Sequence, residues 1–161
     1  MRRALIIILF FSTTILVRAQ VSVSMYPLNS SFGFRTTLEK ITSIEARFEY
    51  DFFHSKAADV YQFHPQLIWH WRVASTEQVD YRTGFGFGYA WDKANADAFT
   101  LCLPFSINYF PIKDNAHLCF NFECGPAASF SGPDQHVYIR GVVGVTFLFY
   151  HRAKKTKETR E

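Results

Sequence analysis

The sequence predicts an all-β fold, an eight-stranded antiparallel up-and-down transmembrane β-barrel. Three observations predict it. From Val21 onward, apolar and polar residues alternate with period two in segments separated by turn residues, the pattern of strands with two unlike faces. The apolar face takes most of the 18 Phe, 8 Tyr and 3 Trp. An eight-stranded barrel has interior room only for side chains or one small ligand, so that face does not fit inside. Finally, the large aromatics gather at two levels with aliphatic residues between them, as in a barrel that crosses a bilayer.

The elements follow in chain order. The first strand covers Val21 to Pro27 and the second Ser31 to Leu38. The third sets Ile44, Ala46, Phe48, Tyr50 and Phe52 against Glu45, Arg47, Glu49 and Asp51. In the fourth, Tyr61, Phe63, Pro65, Leu67, Trp69, Trp71 and Val73 share one face. His64, Gln66, His70 and Arg72 share the other, with Ile68 the apolar exception. The fifth opposes Val79, Tyr81, Phe85, Phe87, Tyr89 and Trp91 to Asp80, Arg82, Gly84, Gly86, Gly88 and Asp92. The sixth runs through Phe99, Leu101, Leu103, Phe105, Ile107 and Tyr109 to Pro111. The seventh places Leu118, Phe120 and Phe122 opposite Cys119, Asn121 and Glu123. The eighth places Val137, Ile139, Val143, Val145, Phe147 and Phe149 opposite His136, Tyr138, Arg140 and Thr146. The connections are short, with His54 to Asp59 the longest, as suits an antiparallel meander without a second domain.

Residues 1–19 read as a secretory signal peptide. Arg2 and Arg3 form a positive n-region, Ala4 to Val17 an apolar stretch too short to span as a helix, and Val17-Arg18-Ala19 a cleavage site before Gln20. Residues 20–150 form the barrel and residues 151–161 a basic tail. Three of the 17 basic residues precede the cleavage site, which leaves basic and acidic residues equal at 14. The tail sets Arg152, Lys154, Lys155, Lys157 and Arg160 against Glu158 and Glu161, so the barrel itself is acidic. With 48% hydrophobic and 18% aromatic residues the chain is too apolar for disorder. No basic patch interleaved with aromatics points to nucleic acid.

Up-and-down connectivity collects Tyr50, Phe52, Tyr61, Phe63, Tyr89, Trp91 and Phe99 at one end, and Trp69, Trp71, Tyr81, Tyr109, Phe147 and Phe149 at the other. Tyr50, Tyr61, Trp69, Trp71, Tyr81, Tyr89, Trp91 and Tyr109 are the expected membrane-interface residues, since their rings are apolar and their tips polar. Lipid cannot hydrogen-bond a backbone, so only a helix or a closed sheet spans it. With these features the chain resembles the small eight-stranded outer-membrane β-barrel proteins of bacteria. The last strand carries Gly144-Val145-Thr146-Phe147-Leu148-Phe149, similar to the assembly signal of that family in Gly144, Phe147 and Phe149. It departs in Val142, where a polar residue is usual, and in the residues beyond Phe149. The resemblance implies outer-membrane lipid and the outer-membrane assembly machinery as partners, and residence in the cell outer membrane. It implies no particular activity.

Facing inward are Glu45, Glu49, Asp51, Asp80, Asp92 and Glu123 against Arg35, Arg47, Arg72, Arg82 and Arg140. Near-balance predicts a lumen closed by ion pairs among Glu45, Arg47, Glu49, Arg72, Asp80, Arg82, Glu123 and Arg140, because an unpaired buried charge costs several kcal/mol. A three-residue turn at Ser75 to Glu77 sets Arg72 across from Asp80, and the attraction between them favours that register. Pro65, Pro104, Pro111 and Pro126 each remove a ladder donor. Hairpin register puts Pro104 beside Gly125 and Pro126 beside Leu103, so these two losses can share one opening, whereas Pro65 has no such companion.

His64 and His70 stand too far apart on one strand to share a metal. Gly84-Phe85-Gly86-Phe87-Gly88 precedes no helix, so it is no nucleotide loop. Cys102 and Cys119 face inward, Cys124 faces outward, and no two are within disulfide reach. Ser55 beside His54 is the one suggestive nucleophile–base neighbourhood, and adjacent strand residues point apart. The expectation is therefore a structural or interaction protein, with no enzyme, cofactor or metal. Two alternatives stay open, a narrow pore or carrier for a small solute and a secreted soluble barrel that binds an apolar ligand. Oligomeric state is not readable.

Overall fold

The structure, a computed structural model, describes residues 21–36, 41–50, 63–91, 97–112, 117–131 and 134–149. The proposed signal peptide, the tail, Tyr61, Asp51, Asp92, His54 and Ser55 lie outside them. The elements are β1 (Val21–Tyr26), a 3₁₀ turn (Pro27–Asn29), β2 (Ser31–Thr36), β3 (Thr42–Tyr50), β4 (Phe63–Ser75), β5 (Val79–Ala90), β6 (Ala98–Cys102), β7 (Phe105–Tyr109), β8 (Leu118–Ser131) and β9 (Asp134–Leu148). All pairs are antiparallel. β6 and β7 are two halves of one barrel strand, both lying between β5 and β8. The pairing of β1 with β9 closes the ring. The architecture is thus a closed eight-stranded antiparallel β-barrel, as the alternation predicts, with the sixth strand broken.

The break has a local cause. Pro104 cannot donate to the Gly84 carbonyl on the β5 side, and Pro126 cannot donate to Leu103 on the β6 side. The two losses fall in adjacent ladders at one spot, rather than within a single ladder as the hairpin register suggests. Leu103 N–H still donates to the Pro126 carbonyl at 3.0 Å. Glycines flank the kink. A side chain at Gly84 would meet the Pro104 ring, and one at Gly125 would run into the Leu103 carbonyl. Pro65 also finds an explanation. Its missing donor points toward β5, where pairing stops at Gln66↔Gly88 and resumes with the single bridge Phe63↔Trp91.

The register fixes the barrel's shape. Starting at Val137, the row of partners passes Ala128, Leu101, Phe87, Leu67, Ala46, Phe34 and Val23, and returns to β9 at Phe147, ten residues along. With ordinary strand spacings, that stagger tilts the strands by about 40° and gives a radius of about 8 Å. On this lattice Tyr50, Phe63, Tyr89, Trp91 and Phe99 share one level. Trp71, Tyr81, Tyr109 and Phe147 form a second, about 22 Å below, with Trp69 one step above it. A run of stacked rings climbs across the strands to the upper level, from Phe32 to Phe48 (5.4 Å), Phe63 (6.1 Å) and Trp91 (5.9 Å).

The faces are inverted relative to a water-soluble barrel. Trp69, Phe87, Phe122 and Phe147 are each close to half exposed, whereas Arg35, Arg47 and Arg82 are fully buried. Most residues of the outward face have the size and chemistry of a core, and the core consists largely of polar and charged side chains.

Candidate functional site

The candidate site is the lumen. It is built by the even positions of β1, β4–β7 and β9 and by the odd positions of β2, β3 and β8. Glu45 on β3 is its centre and has no exposed surface. The Arg35 guanidinium grips its Oε2 through Nε at 2.8 Å and through Nη2. Arg47 Nε donates to Oε1 at 2.9 Å, and Tyr26 O–H donates to the same oxygen at 2.8 Å. Arg47 also grips Glu123 with both terminal nitrogens, at 2.8 and 2.9 Å, and lies over the Tyr26 ring with its central carbon 4.3 Å from the centroid. This bidentate geometry is what a guanidinium supplies and an ammonium does not. His70 stands 3.4 Å from Glu45 Oε2, with no exposed surface.

A second cluster sits nearer the end that carries the 51–62 and 92–96 connections. Arg140 Nη2 donates to Glu49 at 2.9 Å and Nη1 to the Gln66 amide oxygen at 2.6 Å. His64 lies 3.3 Å from Glu49 and shares a 2.7 Å hydrogen bond with Thr100. Glu49, His64 and Arg140 retain partial exposure.

The third cluster lies toward the opposite end and corrects one expectation. Arg72 is paired with Arg82 in the ladder, not with Asp80. An extra residue bulges out of β4 at Val73, between Arg72 and Ala74, and shifts the register. Asp80 then lies diagonally between the two guanidiniums, at 3.5 Å from Arg72 and 3.7 Å from Arg82, and also accepts from Ser75 O–H. One carboxylate serving two arginines offsets the repulsion between them. The hairpin closes from Thr76 N–H to the Val79 carbonyl at 2.7 Å.

Beside this third cluster, with Asn108 paired to Asp80 across the ladder between β5 and β7, Asn108, Asn121, Thr146 and Ser24 form a neutral hydrogen-bonded layer. Phe110, Cys119 and Leu148 then close the bottom with a small apolar cluster. The lumen is therefore filled at successive levels. Its described charges are four acids and five arginines.

Thus the structure brings Glu45, Arg47 and Glu123 together, Glu49 with Arg140, and Arg72 with Asp80 and Arg82. Tyr26, Asn108, Asn121, Ser24 and Thr146 are parts of the lumen that reading for charge alone overlooks. Their signal is parity, since each occupies the inward phase of its strand. Gly144 has a steric reason of its own. The ring of Tyr26 on β1 lies over it, and an added methyl would meet that ring and the Met25 carbonyl. Phe147 on the same strand as Gly144 and Phe149 just beyond its end are both exposed. All three cysteines are free, and among the described residues no group of three or more His, Cys, Asp or Glu could hold a metal ion. Comparison of the chain with family models, curated proteins and solved structures yields no match.

Proposed function

We propose that the chain is an integral outer-membrane β-barrel protein with a structural or interaction role and a lumen closed by ion pairs. The inversion of its faces carries this reading. A soluble barrel hides its aromatics and wets its arginines, whereas here Phe122 is 49% exposed and Arg47 0%. An apolar belt running all round the barrel far exceeds any patch a soluble monomer leaves in water. Its two aromatic rings, about 22 Å apart, match the height of the apolar band of outer-membrane barrels. The amino-terminal leader pattern supports export. The filled lumen favours a closed barrel over a conducting one, because side chains of the described residues occupy it at successive levels.

The test is membrane fractionation combined with gel mobility before and after boiling. A closed barrel stays folded in detergent at room temperature and migrates differently once boiled. Recovery with the outer membrane and a heat-dependent shift are expected. A protein in the soluble periplasmic fraction, with mobility indifferent to boiling, would overturn the placement and favour a secreted carrier of apolar ligands.

A further inference from the structure

The barrel wall has a notch between β9 and β1. β9 pairs with β8 along its whole length, from Leu118↔Phe147 to Ser131↔Asp134. With β1 it pairs only from Ser22↔Leu148 to Met25↔Val145. The next partner in that register is Pro27, which has no N–H to give Val143, and the chain turns away there into the 3₁₀ turn. Leu148 N–H donates to His117 on the β8 side, so the even residues of β9 bond β8 and the odd residues face the notch. The N–H and C=O groups of Gln135, Val137, Ile139 and Val143 therefore line an edge with no strand beside it among the described residues. The Gly141 carbonyl meets only the Asn29 amide at 3.5 Å. Val137 and Ile139 are 80% and 85% exposed, about twice the exposure of most outward residues elsewhere on the barrel. A methyl at Gly141 would meet nothing within 4 Å.

We infer that this edge is a strand-addition site for an extended segment of another protein, apolar on one side and acidic on the other. The edge offers backbone donors and acceptors at every second residue, which only another extended backbone can match along its length. Lipid tails cannot satisfy them, and in the proposed membrane placement the part of the notch from Ile139 to Val143 lies in the upper half of the apolar band, where open sheet edges are not tolerated. The partner's outward residues continue the apolar surface of Val137, Ile139 and Leu28. Its inward residues lie beside the inward positions of β9 at His136, Tyr138 and Arg140, which carry an imidazole and a guanidinium and no acid. A second copy in the same membrane does not fit. Pairing two copies of this edge antiparallel needs a two-fold axis perpendicular to the sheet, which would turn one barrel upside down.

The test uses the full chain folded in detergent micelles and capped octapeptides of alternating Val and Glu. Amide hydrogen exchange is read residue by residue. The peptide is expected to slow exchange at Val137, Ile139, Gly141 and Val143 at least tenfold, and to leave Tyr138 and Arg140, already bonded to β8, unchanged. The same peptide N-methylated at alternate residues, and thus without its donors on one edge, is expected to do nothing. A Val/Lys peptide is expected to protect at least threefold less. Ile139→Pro removes an N–H that bonds nothing in the barrel, so this variant is expected to keep its heat-dependent gel shift and lose the protection. The inference is overturned if the four amides of the free chain already exchange as slowly as Tyr138, or if no peptide protects them. It is equally overturned if the N-methylated or the Val/Lys peptide protects as well as Val/Glu. The readout is independent of the cellular fraction in which the protein is found, so failure here and failure of the membrane placement are separate results.

Discussion

Replacing Glu45 by Gln should unfold the lumen from its centre. The substitution keeps shape and removes one charge. Glu45 is completely buried and accepts from Arg35, Arg47 and Tyr26. Without it, Arg47 retains Glu123, but Arg35 retains only the Asn108 amide oxygen at 3.3 Å and the Tyr26 hydroxyl at 3.3 Å. Removing one partner of a buried ion pair costs about 3–5 kcal/mol, because the remaining charge stays desolvated. At about 1.4 kcal/mol per decade, the folded-to-unfolded ratio should fall by roughly a thousandfold. Glu49→Gln is the internal comparison. Its pair with Arg140 keeps contact with solvent, and screened pairs are worth about 1 kcal/mol or less. Urea titration of the refolded protein in lipid vesicles, followed by tryptophan fluorescence, measures both. A loss below about 1 kcal/mol for Glu45→Gln, or an equal loss for the two variants, would refute the view that the central cluster is desolvated and mutually dependent.

Other expectations follow from the same geometry. Gly125→Ala pushes a methyl into the Leu103 carbonyl, a backbone atom that cannot yield, and should lower stability by about 2 kcal/mol in the same titration. Gly141→Ala meets nothing and should change it by less than about 0.5 kcal/mol. Gly144→Val crowds the Tyr26 ring at the closure of the barrel, and should reduce the heat-shifted folded band on gels while leaving expression intact. In planar bilayers the purified protein should show no discrete conductance steps, since Phe110, Cys119 and Leu148 fill one end beside the Arg72, Asp80 and Arg82 cluster.

Much of the fold is legible in the chain because strand side chains alternate wherever the ladder is unbroken. β4 illustrates it. Leu67, Trp69 and Trp71 point out while Gln66, Ile68 and His70 point in, as their order alone dictates. Register is less legible. Counting back from the Ser75 to Glu77 turn misses the bulge at Val73, because nothing in Arg72-Val73-Ala74 announces an extra residue. Attraction between Arg72 and Asp80 is satisfied as well by a diagonal as by a direct pair. Proline was a sound warning, but its consequences depend on which neighbour a missing N–H faces. For Pro104 that neighbour is Gly84, on a strand the hairpin register does not include. Tyr26 is the clearest omission. Charge counting predicts that arginines and glutamates meet, but it does not find the phenol that donates to Glu45 and accepts from both guanidiniums.

The most direct test of the account needs no mutation. Cys124 points outward about halfway between the two aromatic rings on the strand lattice, and it is exposed, whereas Cys119 is buried and Cys102 partly so. In vesicles, a charged, membrane-impermeant maleimide should leave Cys124 unmodified, while an apolar maleimide dissolved in the lipid should modify it, and urea unfolding should open all three thiols to both reagents. Rapid modification of Cys124 by the charged reagent in the folded, vesicle-bound protein would put the apolar face in water and contradict the account.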